Sequence, residues 1–144
     1  AEKLEAVNLR LQAKLAAIER AEARAVDVRT EDADLLLVAY GTSGRICLSV
    51  LREARKQGLK VGLLRPQTLW PFPEARLAAL SEQVRGMLVV EMSAGQMLKD
   101  IERVVQGRVP IRFHGRMGGV IPLVDEILLD VQALADHVHV GGES

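Results

Sequence analysis

The pentad Gly41-Thr42-Ser43-Gly44-Arg45 follows the apolar run DLLLVAY and opens a stretch of helical periodicity. Free amides at a helix start, the positive end of the helix dipole and a following arginine can hold a phosphate or carboxylate. Gly41, Thr42, Ser43, Gly44 and Arg45 are therefore candidates for binding an anion or a coenzyme phosphate. The same residues also suit a tight turn in which Thr42 or Ser43 caps the helix. Neither nucleotide fingerprint is met. A GxGxxG loop would need glycine where Ser43 and Ile46 stand, the next strand ends in Arg65 rather than in an acid for a ribose, and no GK[ST] occurs.

Other chemistry-bearing residues have structural readings beside them. Glu91 closes an apolar run, where a carboxylate is partly desolvated unless a cation or amides meet it; Arg65 and Arg116 are the cations expected to do so. Ser93-Ala94-Gly95-Gln96 has the form of a capping box, with Ser93 accepting from the amide of Gln96 and the Gln96 side chain returning the bond. His137 and His139 are two residues apart, which does not place them on one helical face, and no thiolate or carboxylate cluster joins them, so no metal site is assigned. His114 ends a strand without a recognisable nucleophile, and Cys47 sits among Ile46, Leu48 and Val50 as a small hydrophobe. No residue is assigned a catalytic role.

The segment RPQTLWPFPE, residues 65–74, concentrates aromatics in a chain that has only one Trp, one Tyr and two Phe. Pro66, Pro71 and Pro73 lack amide donors, which predicts a loop rather than a continued strand. Phe72 is expected to pack back onto Leu77 at the start of the next helix, and Trp70 to face a partner. Phe72 is also expected to border that interface, with Gly95, Gln96, Arg116 and Met117 on two further loops.

These loops need elements to position them. Ala25 to Arg29, Asp34 to Tyr40, Lys60 to Arg65, Gly86 to Met92 and Val109 to His114 read as strands, the middle three nearly continuous in apolar residues and so buried on both faces. Helices are predicted for Ser43 to Gln57, Pro73 to Val84, Ser93 to Gln106 and about Pro122 to Asp136, from apolar residues at helical spacing. Strand and helix in alternation predict a mainly parallel sheet with helices on both faces. The loops after the strands then share its carboxyl edge, where such folds bind ligands. Residues 1–23 read as a separate amphipathic helix with a thin apolar seam, Leu4, Val7, Leu11, Leu15 and Ile18, expected to be a linker from a preceding domain. The alternative is a processed N-terminus or a helix that packs on its own domain. Residues 24–144 are expected to form the globular domain.

Composition sets the outer limits. The chain has 144 residues, 49% of them apolar, and 19 basic against 19 acidic side chains, so it carries no electrostatic footprint for nucleic acid or a membrane surface. No apolar run approaches the roughly 20 residues that span a bilayer, and the chain is expected to be cytoplasmic. A single cysteine excludes an all-cysteine zinc or iron–sulfur site within this chain.

Three stretches together, AYGTSGR, GLLRPQTLWPFP, and VVEMSAGQM with the later GRMGG, resemble the C-terminal domain of the alpha subunit of 2-oxoacid:ferredoxin oxidoreductases, over roughly Asp34 to Val131. More distantly, strands ending in LRP and VVE resemble the C-terminal domains of transketolases and of 2-oxoacid dehydrogenase beta subunits. The resemblance implies a three-layer α/β/α, transketolase C-terminal-like fold whose mainly parallel five-stranded sheet has one antiparallel edge strand, here Ala25 to Arg29. It implies an enzyme that decarboxylates a 2-oxoacid oxidatively with thiamine diphosphate and magnesium, passes electrons through an iron–sulfur cluster to ferredoxin, and forms acyl-coenzyme A. It implies as partners the N-terminal domain of the same subunit, a beta subunit with gamma or delta subunits in some members, and ferredoxin indirectly. None of those cofactors is expected on this segment, which is predicted inactive alone and to serve assembly. The alternatives are an anion-binding module and the C-terminal domain of a transketolase-type or dehydrogenase-type enzyme.

Overall fold

The computed structural model describes residues 10–14, 24–68, 71–92, 95–115 and 124–140. Beyond residue 24 the described elements are β1 (Ala25–Val28), β2 (Leu35–Ala39), α1 (Thr42–Lys56), β3 (Val61–Pro66), α2 (Glu74–Gln83), β4 (Gly86–Glu91), α3 (Gln96–Val105), β5 (Ile111–Gly115) and α4 (Val124–His137). Residues 10–14 are helical and exposed. The remainder of the helix expected over residues 1–23 lies outside the described residues.

The strands form one sheet in the order β1-β3-β2-β4-β5. β1 runs antiparallel to β3, and every other pair is parallel. The antiparallel edge strand thus stands where it was expected.

The sheet is buried between two helical layers because β2 is apolar at every position and β3 and β4 are apolar up to their carboxyl ends, where Arg65 and Glu91 stand. Leu35, Leu37 and Ala39 of β2 point into one core with Cys47, Val50, Leu51 and Ala54 of α1 and Ile127, Val131 and Leu134 of α4. Leu36 and Val38 point the other way, into a core with Leu77 and Leu80 of α2 and Met97, Ile101 and Val105 of α3. Alternation along a strand divides one apolar run between two cores, and the helices answer with residues three and four apart. Burying each such leucine contributes about 1.5–3 kcal/mol relative to leaving it in water.

Two expectations about strand boundaries change. β3 continues through Pro66, which pairs with Ala25 of β1, while the β2 side of its ladder is recorded only as far as Leu64. A proline at the end of a strand, past its second neighbour, loses no ladder bond there. β5 starts at Ile111 rather than Val109, and the Pro110 carbonyl ahead of it accepts from the Met87 amide at 3.0 Å.

Gly62 of β3 shows how closely the turn after β1 is packed. A Cβ on it would lie 2.9 Å from the Arg29 carbonyl oxygen and 3.0 Å from Thr30 Cα. Both are backbone atoms, so neither can swing away. Gly62→Ala is expected to cost about 2 kcal/mol through forced backbone displacement, read as a lower midpoint in denaturant titration. A wild-type midpoint would mean that the β1 turn yields freely.

Candidate functional site

Since β2, β3, β4 and β5 are parallel, Ala39, Pro66, Glu91 and Gly115 end at one edge, and the N-termini of the crossover helices open there. Contacts between the loops agree with this placement. The Phe113 ring lies over Gly115, where a side chain would collide with it, and 3.8 Å from the point a Cβ on Gly95 would occupy. The loop after β4 and the end of β5 therefore share one aromatic ring. On the other side of the edge, a Cβ on Gly44 would stand 2.7 Å from Arg65 Nε, so the glycine lets the side chain from the end of β3 cross the first turn of α1.

The first turn of α1 differs from the capped turn considered above. Gly41 is the N-cap residue, at φ 63°, a left-handed conformation that glycine takes without strain. Neither Thr42 nor Ser43 caps the helix, and no acidic residue lies in its first turn. Exposed Arg45 and half-buried Arg65 stand at this positive end of the helix instead. Electrostatically this corner favours an anion.

The first turn of α3 is satisfied by a different device. The helix begins at Gln96 with Gly95 as its N-cap at φ 94°, so Gln96 does not occupy the third helical position that a capping box led by Ser93 requires. Ser93 itself lies outside the described residues. The amides of Met97 and Leu98 donate to Glu91 Oε1 and Oε2 at 3.0 and 2.9 Å. Glu91 is 7% exposed. Amides, one of the two solutions open to a desolvated carboxylate, thus hold it, and the strand end becomes the cap of the next helix.

Phe72 is buried in the α2–α3 core beside Leu77. Because Pro73 is the N-cap of α2, these two occupy the positions of a hydrophobic staple, as expected. Thr68 braces the same loop, its hydroxyl donating to the Pro71 carbonyl at 2.7 Å and accepting from the Arg24 amide at 3.1 Å. Gln96 is exposed and Gly95 buried. Trp70, Arg116 and Met117 lie outside the described residues.

One constellation was missed. His114 Nδ1 lies 2.5 Å from Asp130 Oδ2, its Nε2 lies 3.7 Å from Glu126 Oε2, and Arg112 Nε donates to Asp130 Oδ1 at 2.9 Å. Arg112 and His114 alternate on one face of β5, while Glu126 and Asp130 are four apart on α4; matching these two periods was the available signal. A carboxylate-held imidazole can move protons, and among the described residues the side chains paired with it are the carboxylates Asp130 and Glu126, with no hydroxyl or thiol bonded to it. It links β5 to α4.

Cys47 is fully buried against the sheet, and burial pushes its thiol up to about 12, outweighing the opposing pull of nearby Arg65. Thiolate is the reactive form, so an alkylating reagent is expected to label the native chain far more slowly than the denatured chain. Equal rates would contradict this burial. Among the described residues no group of three or more His, Cys, Asp or Glu is arranged to hold a metal, and no helix is long and apolar enough to cross a membrane.

A family model described as Pyruvate:ferredoxin oxidoreductase core domain II matches residues 33–127. Ketoisovalerate oxidoreductase subunit VorB of Methanothermobacter marburgensis is 42% identical over 134 residues, which make up 93% of this chain and 38% of that protein. The chain therefore spans well under half the length of this curated relative. Among solved structures, 2-oxoglutarate:ferredoxin oxidoreductase from Magnetococcus marinus, with 2-oxoglutarate, coenzyme A and succinyl-CoA bound, matches with a TM-score of 0.68 at 21% identity, over 76% of this chain and 19% of that one. A split gene transketolase, as an inactive beta4 tetramer, matches with a TM-score of 0.68 at 14% identity, over 80% and 42%. These two likenesses show the fold, transketolase-like as expected.

Proposed function

Because the chain belongs to the pyruvate:ferredoxin oxidoreductase core domain II family, we propose that it is the noncatalytic C-terminal domain of the alpha subunit of a thiamine-diphosphate-dependent 2-oxoacid:ferredoxin oxidoreductase. Its work is to brace and assemble the subunits that decarboxylate the 2-oxoacid, reduce ferredoxin and form acyl-coenzyme A. The observation that carries this reading is the use of Glu91. It is the buried carboxylate of the candidate edge, and its oxygens hold α3 in place rather than standing ready for a substrate proton. The residue inventory agrees, since a four-iron cluster needs several thiolates and this chain has one cysteine. Thiamine diphosphate, magnesium and the cluster would be held by the other parts of the enzyme. The partners are the N-terminal domain, with residues 1–23 as the linking segment, and the beta subunit.

The carboxyl edge is the docking face of this reading. Exposed Tyr40 and Phe113 lie along it at 45% and 37% exposure, and Gln96, exposed at the start of α3, joins them; the reading assigns Trp70, Arg116 and Met117 to the same contact with partners. The prolines of the 66–73 loop preform this surface and lower the entropy lost on docking. Trp70→Ala is expected to leave the melting temperature within about 2 °C of wild type while weakening association with the partner subunits at least about tenfold, in the manner of an interface hot spot. Calorimetry and a pull-down against co-expressed subunits measure the two effects. A variant that melts early yet assembles normally would assign Trp70 to the core instead.

A second reading has its own observation. The acid-free first turn of α1, with Arg45 and Arg65 beside it, suits a coenzyme phosphate at Gly41 to Arg45. Coenzyme A added at a hundred times its dissociation constant would then stabilise the chain by about 2.7 kcal/mol. An unchanged melting temperature across a coenzyme A titration removes this reading and leaves the docking role standing.

A further inference from the structure

The outer surface of the α1–α4 layer carries opposite charge on its two helices. Along α1, exposed Arg45, Arg52 and Lys56 lie within about 20° of Arg45 around the axis, at 100° per residue. Along α4, Asp125 and Asp136 are exposed on either side of Leu129, which at 66% is the most exposed of the large apolar side chains described. Glu126 and Asp130 turn instead toward His114 and Arg112 of β5. Both helices start at the carboxyl edge and run back along the sheet, so they point the same way, and Gln132 donates to Gln57 across them at 2.7 Å.

The spacings match as well as the signs. Arg45 and Lys56 are eleven residues apart, and so are Asp125 and Asp136. Each pair spans about 16 Å at 1.5 Å per residue. Arg45 and Asp125 stand near the starts of their helices and Lys56 and Asp136 near the ends. The basic pair and the acidic pair therefore have the same length and run the same way along the layer, with Leu48 and Ser49 between the bases and Leu129 between the acids.

We propose that this face pairs two copies of the chain about a two-fold axis parallel to α1 and α4. That axis lays α1 of one copy on α4 of the other, in the same direction, so Arg45 and Lys56 meet the other copy's acidic pair and Leu129 is covered from both sides. A two-fold axis lying across the helices would instead set α1 on α1 and α4 on α4, bringing like charges together. The charge pattern thus selects both the occupant and the symmetry. Lys56 already reaches Glu53 of its own helix at 3.2 Å, but both are exposed and such a pair yields readily to a better partner. The surface is separate from the carboxyl-edge docking face and does not depend on it.

Sedimentation velocity over a concentration series tests this. The wild-type chain should show a monomer–dimer equilibrium whose dissociation constant rises at least about tenfold between about 0.05 M and about 0.5 M salt, as screening shortens the reach of exposed charges. Arg45→Glu with Lys56→Glu in one chain, and Asp125→Lys with Asp136→Lys in another, should each be monomeric, while an equimolar mixture restores the dimer. The wild-type dimer and that rescue together identify α1-to-α4 pairing, since an arrangement with α1 on α1 would be repelled in the wild-type chain and could form only in the mixture. Melting curves check that each variant is folded, and the single changes Lys56→Glu and Asp136→Lys repeat the test if a double variant is not. A wild-type chain that stays monomeric to about 1 mM, or a mixture that fails to re-form the dimer, overturns the proposal.

Discussion

Phe72→Ala destabilises the chain by about 3 to 5 kcal/mol, the range for a buried aromatic truncated to a methyl group. Phe72 is 8% exposed and shares the α2–α3 core with Leu64, Leu77, Met97 and Ile101. Its truncation removes apolar area and opens a cavity that Pro71 and Pro73, fixed in φ, are poorly able to fill. The staple that sets the entry angle of α2 is lost with it. Denaturant titration by circular dichroism measures the effect. A loss below about 1 kcal/mol would show that the loop collapses into the space and that Phe72 contributes surface rather than core.

Glu91→Ala costs about 3 kcal/mol, which lowers the melting temperature by roughly 10 °C in a domain of this size. Two amides at the start of α3 lose a charged acceptor in a place where the carboxylate was 7% exposed. Glu91→Gln retains the volume and one acceptor, so it should recover part of the loss but not all, because an amide NH₂ cannot accept. Calorimetry on the three chains ranks them wild type, Gln, Ala. An alanine variant as stable as wild type would mean that water caps α3 equally well. The account of the edge as structurally committed would then lose its main support.

The architecture was legible because its signals are local. Apolar runs of strand length alternate with helical periodicity, and that rhythm alone predicts parallel neighbours and a shared carboxyl edge. What was misread depended on contacts between residues that no short pattern joins. Ser93 and Gln96 have the spacing of a capping box, yet the cap of α3 comes from Glu91 at the end of the preceding strand. A loop with glycine at the N-cap position lets the helix start late and fold back to it. The end of β3 was placed too early because proline reads as a strand breaker; only the pairing register shows that Pro66 has a neighbour on one side alone. His114 read as isolated because Asp130 and Glu126 are brought to it by tertiary packing of α4 on β5, more than ten residues along the chain.

The central claim, that this chain assembles a 2-oxoacid:ferredoxin oxidoreductase without contributing catalytic groups, is tested most directly by reconstitution. The chain is mixed with the remaining portion of the alpha subunit and the beta subunit, and turnover of a 2-oxoacid is followed with coenzyme A and an artificial electron acceptor. The account predicts no turnover by the chain alone, weak or absent turnover by the other components alone, and activity when all are combined. Turnover of the 2-oxoacid by the chain alone, or full activity of the other components without it, would contradict the claim.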